Sequence, residues 1–98
     1  METLSEAIAR LEALGFRDSF EPVDGRLRAL GADRLYAPES LIVEEVVRFE
    51  GESDPSEQAI LFALRSPSGD VRGTFTTAFG PLADPASVEI VRQLARAR

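Results

Sequence analysis

Leu4, Ala7, Ile8, Leu11 and Leu14 recur every three or four residues, the spacing that gathers apolar side chains on one face of a helix. Thr3 with Glu6 three residues on forms a capping box at the start. Gly15 supplies the stop, and Phe16 is placed to fold back as in a Schellman cap. On the opposite side Glu6 and Arg10 stand at i, i+4. The pattern predicts an amphipathic helix over 4–14. Beyond it, Phe20-Glu21-Pro22-Val23 leads into the turn dipeptide Asp24-Gly25. Arg26 to Leu30 then alternates, with Leu27 and Ala29 on one face. After a second turn at Gly31-Ala32-Asp33, Arg34-Leu35-Tyr36 pairs back, giving a small hairpin closed off by Pro38.

The stretch Leu41 to Glu50 is β-branched and aromatic, interrupted by the adjacent acids Glu44 and Glu45, which mark a bulge or a late strand start. Ala59 to Ser66 is apolar on both faces, as in a central strand covered on two sides. Pro67-Ser68-Gly69-Asp70 is a tight turn. Val71 to Phe79 alternates cleanly, with Val71, Gly73, Phe75, Thr77 and Phe79 on one face and Arg72, Thr74, Thr76 and Ala78 on the other. Gly73 within it marks a bulge or a close backbone approach. Gly80-Pro81 ends the strand, and Asp84-Pro85 caps a second helix with the apolar face Val88, Ile90, Val91, Leu94 and Ala95. Its last turns carry Arg92, Arg96 and Arg98, where the helix dipole favours cations. Short connections join antiparallel neighbours. The expectation is one α+β domain over 1–98: an antiparallel meander of four to five strands, with the N-terminal and C-terminal helices packed on one face.

Composition narrows the chemistry. With no Cys there is no disulfide, zinc knuckle or thiol nucleophile, and with no His the commonest general base and metal ligand are gone. All eleven cations are Arg, which removes Schiff-base chemistry and the phosphate-binding lysine of a P-loop. Gly69, Gly73 and Gly80 match no dinucleotide fingerprint, and no Ser has a base partner. Catalytic residues are therefore not expected. The seventeen acids and net charge of −6 argue against nucleic acid, which demands clustered cations. The acidic start Met1-Glu2-Thr3-Leu4-Ser5-Glu6 does not read as a secretory signal, and the apolar run Ala59 to Leu64 is too short for a membrane span. A cytoplasmic location is expected.

Two groupings could carry function. Glu50, Glu52, Asp54 and Glu57 surround one turn, where clustered carboxylates could take a divalent cation, magnesium above all, with Glu50 and Asp54 as metal-facing acids. The same acids also read as a solvated turn. If strand registers match, Arg48, Arg65, Arg72, Thr74 and Thr76 line one open side of the sheet, a donor set suited to phosphate or carboxylate. They also read as an ordinary solvent face of Arg–Glu cross-strand pairs. Because Leu61 and Ala63 share that side with Arg65, a homodimer interface fits it as well.

Thr3-Leu4-Ser5-Glu6-Ala7 before Gly15-Phe16, then Arg48-Phe49-Glu50-Gly51, Ser53-Asp54-Pro55, Ala59-Ile60-Leu61, Gly73 and Ala78-Phe79-Gly80, resembles a family of roughly hundred-residue bacterial proteins. Most members are uncharacterised, and some are labelled phosphoribosylpyrophosphate synthetase. An enzyme of that kind needs an ATP site and a pyrophosphate loop, neither of which is visible in the sequence. The resemblance therefore implies no catalytic residues and no cofactor; it singles out the segment from Arg48 to Pro55. The sequence reading is a small binding or regulatory domain that self-associates through its sheet. The alternative is a binder or weak enzyme of a phosphorylated metabolite or nucleotide, using the Arg-lined face, with magnesium only in that case.

Overall fold

The computed structural model describes residues 2–49, 58–78 and 84–97. Helix α1 (Leu4–Ala13) begins on the capping box: Thr3 Oγ1 accepts from the Glu6 N–H at 3.1 Å and Glu6 Oε1 from the Thr3 N–H at 2.9 Å. It ends in a Schellman arrangement. Gly15 takes φ +106°, and the N–H groups of Phe16 and Gly15 donate to the Leu11 and Glu12 carbonyls at 2.9 and 3.0 Å. Glu6 is thereby committed to the cap, so Arg10 does not take it as a partner. Arg10 reaches Glu2 at 2.7 Å and Glu45 at 2.5 Å instead.

Six strands follow: β1 (Asp18–Val23), β2 (Arg26–Ala29), β3 (Arg34–Tyr36), β4 (Ile42–Phe49), β5 (Ala59–Arg65) and β6 (Arg72–Ala78), and the chain closes with α2 (Pro85–Ala97). The expected small hairpin is β2 with β3. The turn before it, Asp24-Gly25, adopts φ 48° and 78°, the left-handed pair that a two-residue hairpin loop needs. The bulge falls at Glu44, between the Val43 and Glu45 pairings.

The sheet corrects the meander in two respects. It has six strands in the order β3-β2-β1-β6-β5-β4, and β1 runs parallel to β6 while every other pair is antiparallel. The strand missing from the sequence reading is β1, because Pro22 cannot donate to a ladder. Its position explains why it is tolerated. Only Asp18 and Ser19 pair with β6, so Pro22 faces a strand on the β2 side alone.

The sheet must also curl. Laid flat, the outermost strands β3 and β4 would stand about 24 Å apart at the usual strand spacing. The six residue-to-residue steps from Tyr36 to Ile42 reach at most about 21 Å even when fully extended, and Pro38–Ser40 between them form a 3-10 turn. The sheet edges are therefore drawn together around an inner core of Phe20, Leu27, Ala29, Leu41, Phe62, Leu64 and Phe75, with Ile90 and Leu94 of α2 packed into it. Phe75 is 1% exposed; burial on this scale contributes about 1.5–3 kcal/mol for such a side chain.

Helix α1 does not join α2 on that face. Ala7 and Leu11 pack with Phe16, Leu61 and Ala63 in a second cluster on the outer face. Because β5 alternates Ile60, Phe62 and Leu64 inward with Leu61 and Ala63 outward, it needs a cover on each side. The expectation of both helices on one face is thus replaced by one helix per face. Helix α1 packs over β4, β5 and β6. Among the described residues no helix is long and apolar enough to cross a membrane.

Candidate functional site

The proposed Arg/Thr set does not share one face. Arg65 lies opposite Arg72, Ala63 opposite Thr74 and Leu61 opposite Thr76, which places these residues on the outer side with α1. Arg48 lies opposite Ile60, an inner-core residue, so it stands on the other side of the sheet. Thr74 is buried at 8% exposure, and Arg65 is ion-paired with Glu44. Of the five, Arg72 and Thr76 are exposed on the outer face, and Arg72 stands at the end of its strand beside a neighbouring loop. Glu50 and Asp54 lie outside the described residues, and among the described residues no group of three or more acids is placed to hold a metal ion.

The surroundings of Arg72 are built by three connections meeting at one end of the sheet. The first is the chain leaving α1. Gly15 and Phe16 turn back onto Leu11, and the Arg72 guanidinium lies 4.5 Å over the Phe16 ring, a cation–π contact. A Cβ at Gly15 would stand 3.1 Å from Arg72 Nη1, so the glycine keeps this stacking open as well as supplying the positive φ.

The second connection is the β2–β3 turn, which Asp18 clamps. Its Oδ1 accepts from the Ser19 and Gly31 N–H groups at 2.8 and 2.7 Å, and its Oδ2 from the Ala32 N–H at 3.0 Å. The carboxylate thus fills a nest of backbone donors. Asp18 also stands opposite Gly73 in the parallel ladder, where a Cβ on Gly73 would overlap the Asp18 carbonyl oxygen. Gly73 is the close approach its place in the strand suggested.

The third is the β5–β6 turn. Ser66 is buried; its Oγ donates to Asp70 Oδ1 at 2.7 Å and accepts from the Val71 N–H at 3.2 Å. Ser68 Oγ donates to the same oxygen at 2.5 Å, and Arg34 Nη1 reaches Asp70 Oδ2 at 2.9 Å. The hydroxyls of Ser68 and Ser66, then Arg34, hold the Asp70 carboxyl well below the usual carboxylate range. Tyr36 and Asp70 in turn push Arg34 up. Between the three connections lies an open depression of about 380 Å³, with Arg17, Asp18, Asp70 and Arg72 on its walls.

The other charge cluster is a strap. Arg10 holds Glu45, and also Glu2, below the usual range, and it ties α1 to the bulged edge of β4.

Sequence reasoning found Arg72 but not Arg17, Asp18, Arg34 or Asp70. Arg34 and Asp70 are separated by 36 positions, and no spacing rule links them. Arg17-Asp18 directly after the Gly15-Phe16 stop was the one local signal, a charged pair where the chain must turn into the sheet. At the opposite end of the sheet, Phe49 stands opposite Ala59 and Ala59 opposite Ala78, so described parts of three stretches quoted for the family resemblance meet there. Comparisons with protein-family models, with curated proteins and with solved structures gave no significant match.

Proposed function

We propose that the protein is a small cytoplasmic binding or regulatory domain that performs no catalysis of its own and associates with a second copy through its sheet. The observation that carries this reading is the outer face of β1 to β3, none of whose residues joins the buried cluster under α1. Leu35 stands opposite Arg28, and Arg28 opposite Glu21, on the side away from the inner-core residues Leu27 and Ala29. Leu30 continues that side, its N–H bonded to the Ser19 carbonyl. Leu30 and Leu35 are 49% and 50% exposed. Leu14, at the end of the α1 stripe of Ala7 and Leu11, is 58% exposed.

A second copy suits this face. Glu21 and Arg28 lie side by side, and Asp33 also holds Arg28, so a two-fold pairing can set Glu21 against the cations Arg28 and Arg26 of its mate. Arg26 adds a further cation on the same side. Multi-angle light scattering at micromolar concentration tests the reading. The expected mass is near twice the 10.7 kDa chain, and the double variant Leu30→Glu, Leu35→Glu returns it to one chain. A wild-type mass near 10.7 kDa overturns self-association.

A further inference from the structure

We propose that the depression between the α1–β1 connection, the β2–β3 turn and the β5–β6 turn binds a small oxyanion, a phosphoryl or carboxylate group, between the guanidinium groups of Arg17 and Arg72. The inference does not rest on self-association. Its first support is an accounting of charge. Acids outnumber cations by seventeen to eleven, so a cation in this chain has partners to spare. Arg10, Arg28, Arg34, Arg65 and Arg92 all hold carboxylates. Among the described residues Arg17 and Arg72 form no ion pair, and both lie on the wall of the same depression.

The acids on that wall are already occupied. Both Asp18 oxygens accept backbone N–H groups, and the Asp70 oxygens take Ser66, Ser68 and Arg34. The wall thus sets two cations, Arg17 and Arg72, beside two acids whose oxygens are already engaged, and Arg34, which does not line the depression, offsets Asp70. Arg72 also stands directly opposite Arg65, a like-charge pair across the ladder, which is unfavourable unless neutralised. Glu44 neutralises Arg65, whereas Arg72 has only the Phe16 ring. Stacking fixes the plane of the Arg72 guanidinium and leaves its edge N–H groups to donate in parallel, the fork that fits two oxygens of one anion. The depression, about 380 Å³, is of a size that admits a small metabolite.

Titration of the 15N-labelled full chain by NMR with inorganic phosphate, and separately with acetate, tests the site against chloride at equal ionic strength. The expected result is saturable shifts at the amides of Gly15, Arg17, Gly31, Ala32 and Arg72 with at least one of the two anions. Which of them saturates distinguishes a phosphoryl from a carboxylate ligand. Arg17→Gln and Arg72→Gln should each raise the dissociation constant about tenfold, as loss of a charge-assisted donor does. Arg26→Gln, at the far end of β2, should leave it unchanged. Among the described residues the Arg17 side chain makes no hydrogen bond or ion pair, so Arg17→Gln keeps the test valid even if Arg72→Gln fails to fold. Shifts that grow linearly with both anions and match chloride overturn the site, as does a dissociation constant that ignores Arg17→Gln.

Discussion

Asp18 is the side chain on which the end of the sheet is hung, and its replacement by Asn is the sharpest probe of that. Asp18→Asn keeps the shape but removes the charge and one acceptor. The amide oxygen can keep the bonds from Ser19 and Gly31, at 2.8 and 2.7 Å, only as neutral ones. Its NH2 group then faces the Ala32 N–H that Oδ2 accepts at 3.0 Å, a donor set against a donor. A hydrogen bond to a charged group is worth about 1.5–3 kcal/mol and a neutral one about 0.5–1.5 kcal/mol. Two weakened bonds and one lost bond would therefore cost several kcal/mol if buried. The turn is open to water, which re-solvates the Ala32 N–H, so the net loss should be about 2 kcal/mol. For a domain of this size that corresponds to a fall in Tm of about 8–16 °C. Urea unfolding followed by far-UV circular dichroism at neutral pH measures it as a lower midpoint with an unchanged slope. Hydrogen exchange should show Gly31 and Ala32 losing protection in the same variant. A midpoint shift worth less than about 0.5 kcal/mol, with both amides still protected, would refute the clamp.

Gly73→Ala should cost about 3 kcal/mol, the upper end of overpacking, because the obstructing atom is the Asp18 backbone oxygen, which cannot swing aside; a thermal melt reads it directly, and a change under about 1 kcal/mol contradicts the close approach. Acid should destabilise the fold through Asp70, Glu45 and Glu2, whose carboxyls are all held below their ordinary values of 3.8, 4.5 and 4.5. A depressed folded-state pKa gives stability that is complete above the ordinary value and lost as pH falls through the folded one, so Tm should fall steadily from about pH 5 to pH 2. Asp70→Asn should flatten that acid limb, and a variant whose Tm falls as steeply as the wild type would show that Asp70 does not contribute to it.

The helices, the β2–β3 hairpin and the inner face of β6 were legible in the sequence because each is a local pattern. Thr3 with Glu6, Gly15 with Phe16, and Val71-Gly73-Phe75 carry their own geometry within a few residues. The sheet order was not legible. β1 pairs across 55 positions, Asp18 with Gly73, through two residues only, and Pro22 disguises the rest of the strand. The faces taken by the helices were half-written in the two-sided apolar run of β5, which already called for a cover on each side. Arg48 departs from the other four residues of the Arg/Thr set for a register reason. Arg48 is brought opposite Ile60 rather than an outer residue, and only the pairing of β4 with β5 around the bulge at Glu44 decides which.

That parallel pair is also what creates the candidate site. Because Asp18 stands beside Gly73, β1 and β6 start at the same end of the sheet. The connections that precede them, carrying Arg17 in one case and Asp70 in the other, must then lie together, beside Arg72 at the first position of β6. β2 runs antiparallel to β1, so its exit at Gly31 and Ala32 returns to the same end and meets the Asp18 carboxylate. Had β1 been antiparallel to β6, Arg17 would stand beside Ala78, at the far end from Arg72. The small residue at 73 is what lets the two strands approach, since a Cβ there would overlap the Asp18 carbonyl oxygen. Gly73→Ala therefore tests more than packing: the backbone shift that relieves the clash must part Asp18 from β6 and carry Arg17 away from Arg72. Anion affinity at the depression should fall in that variant even at temperatures where it remains folded, although no group that touches the anion has been changed.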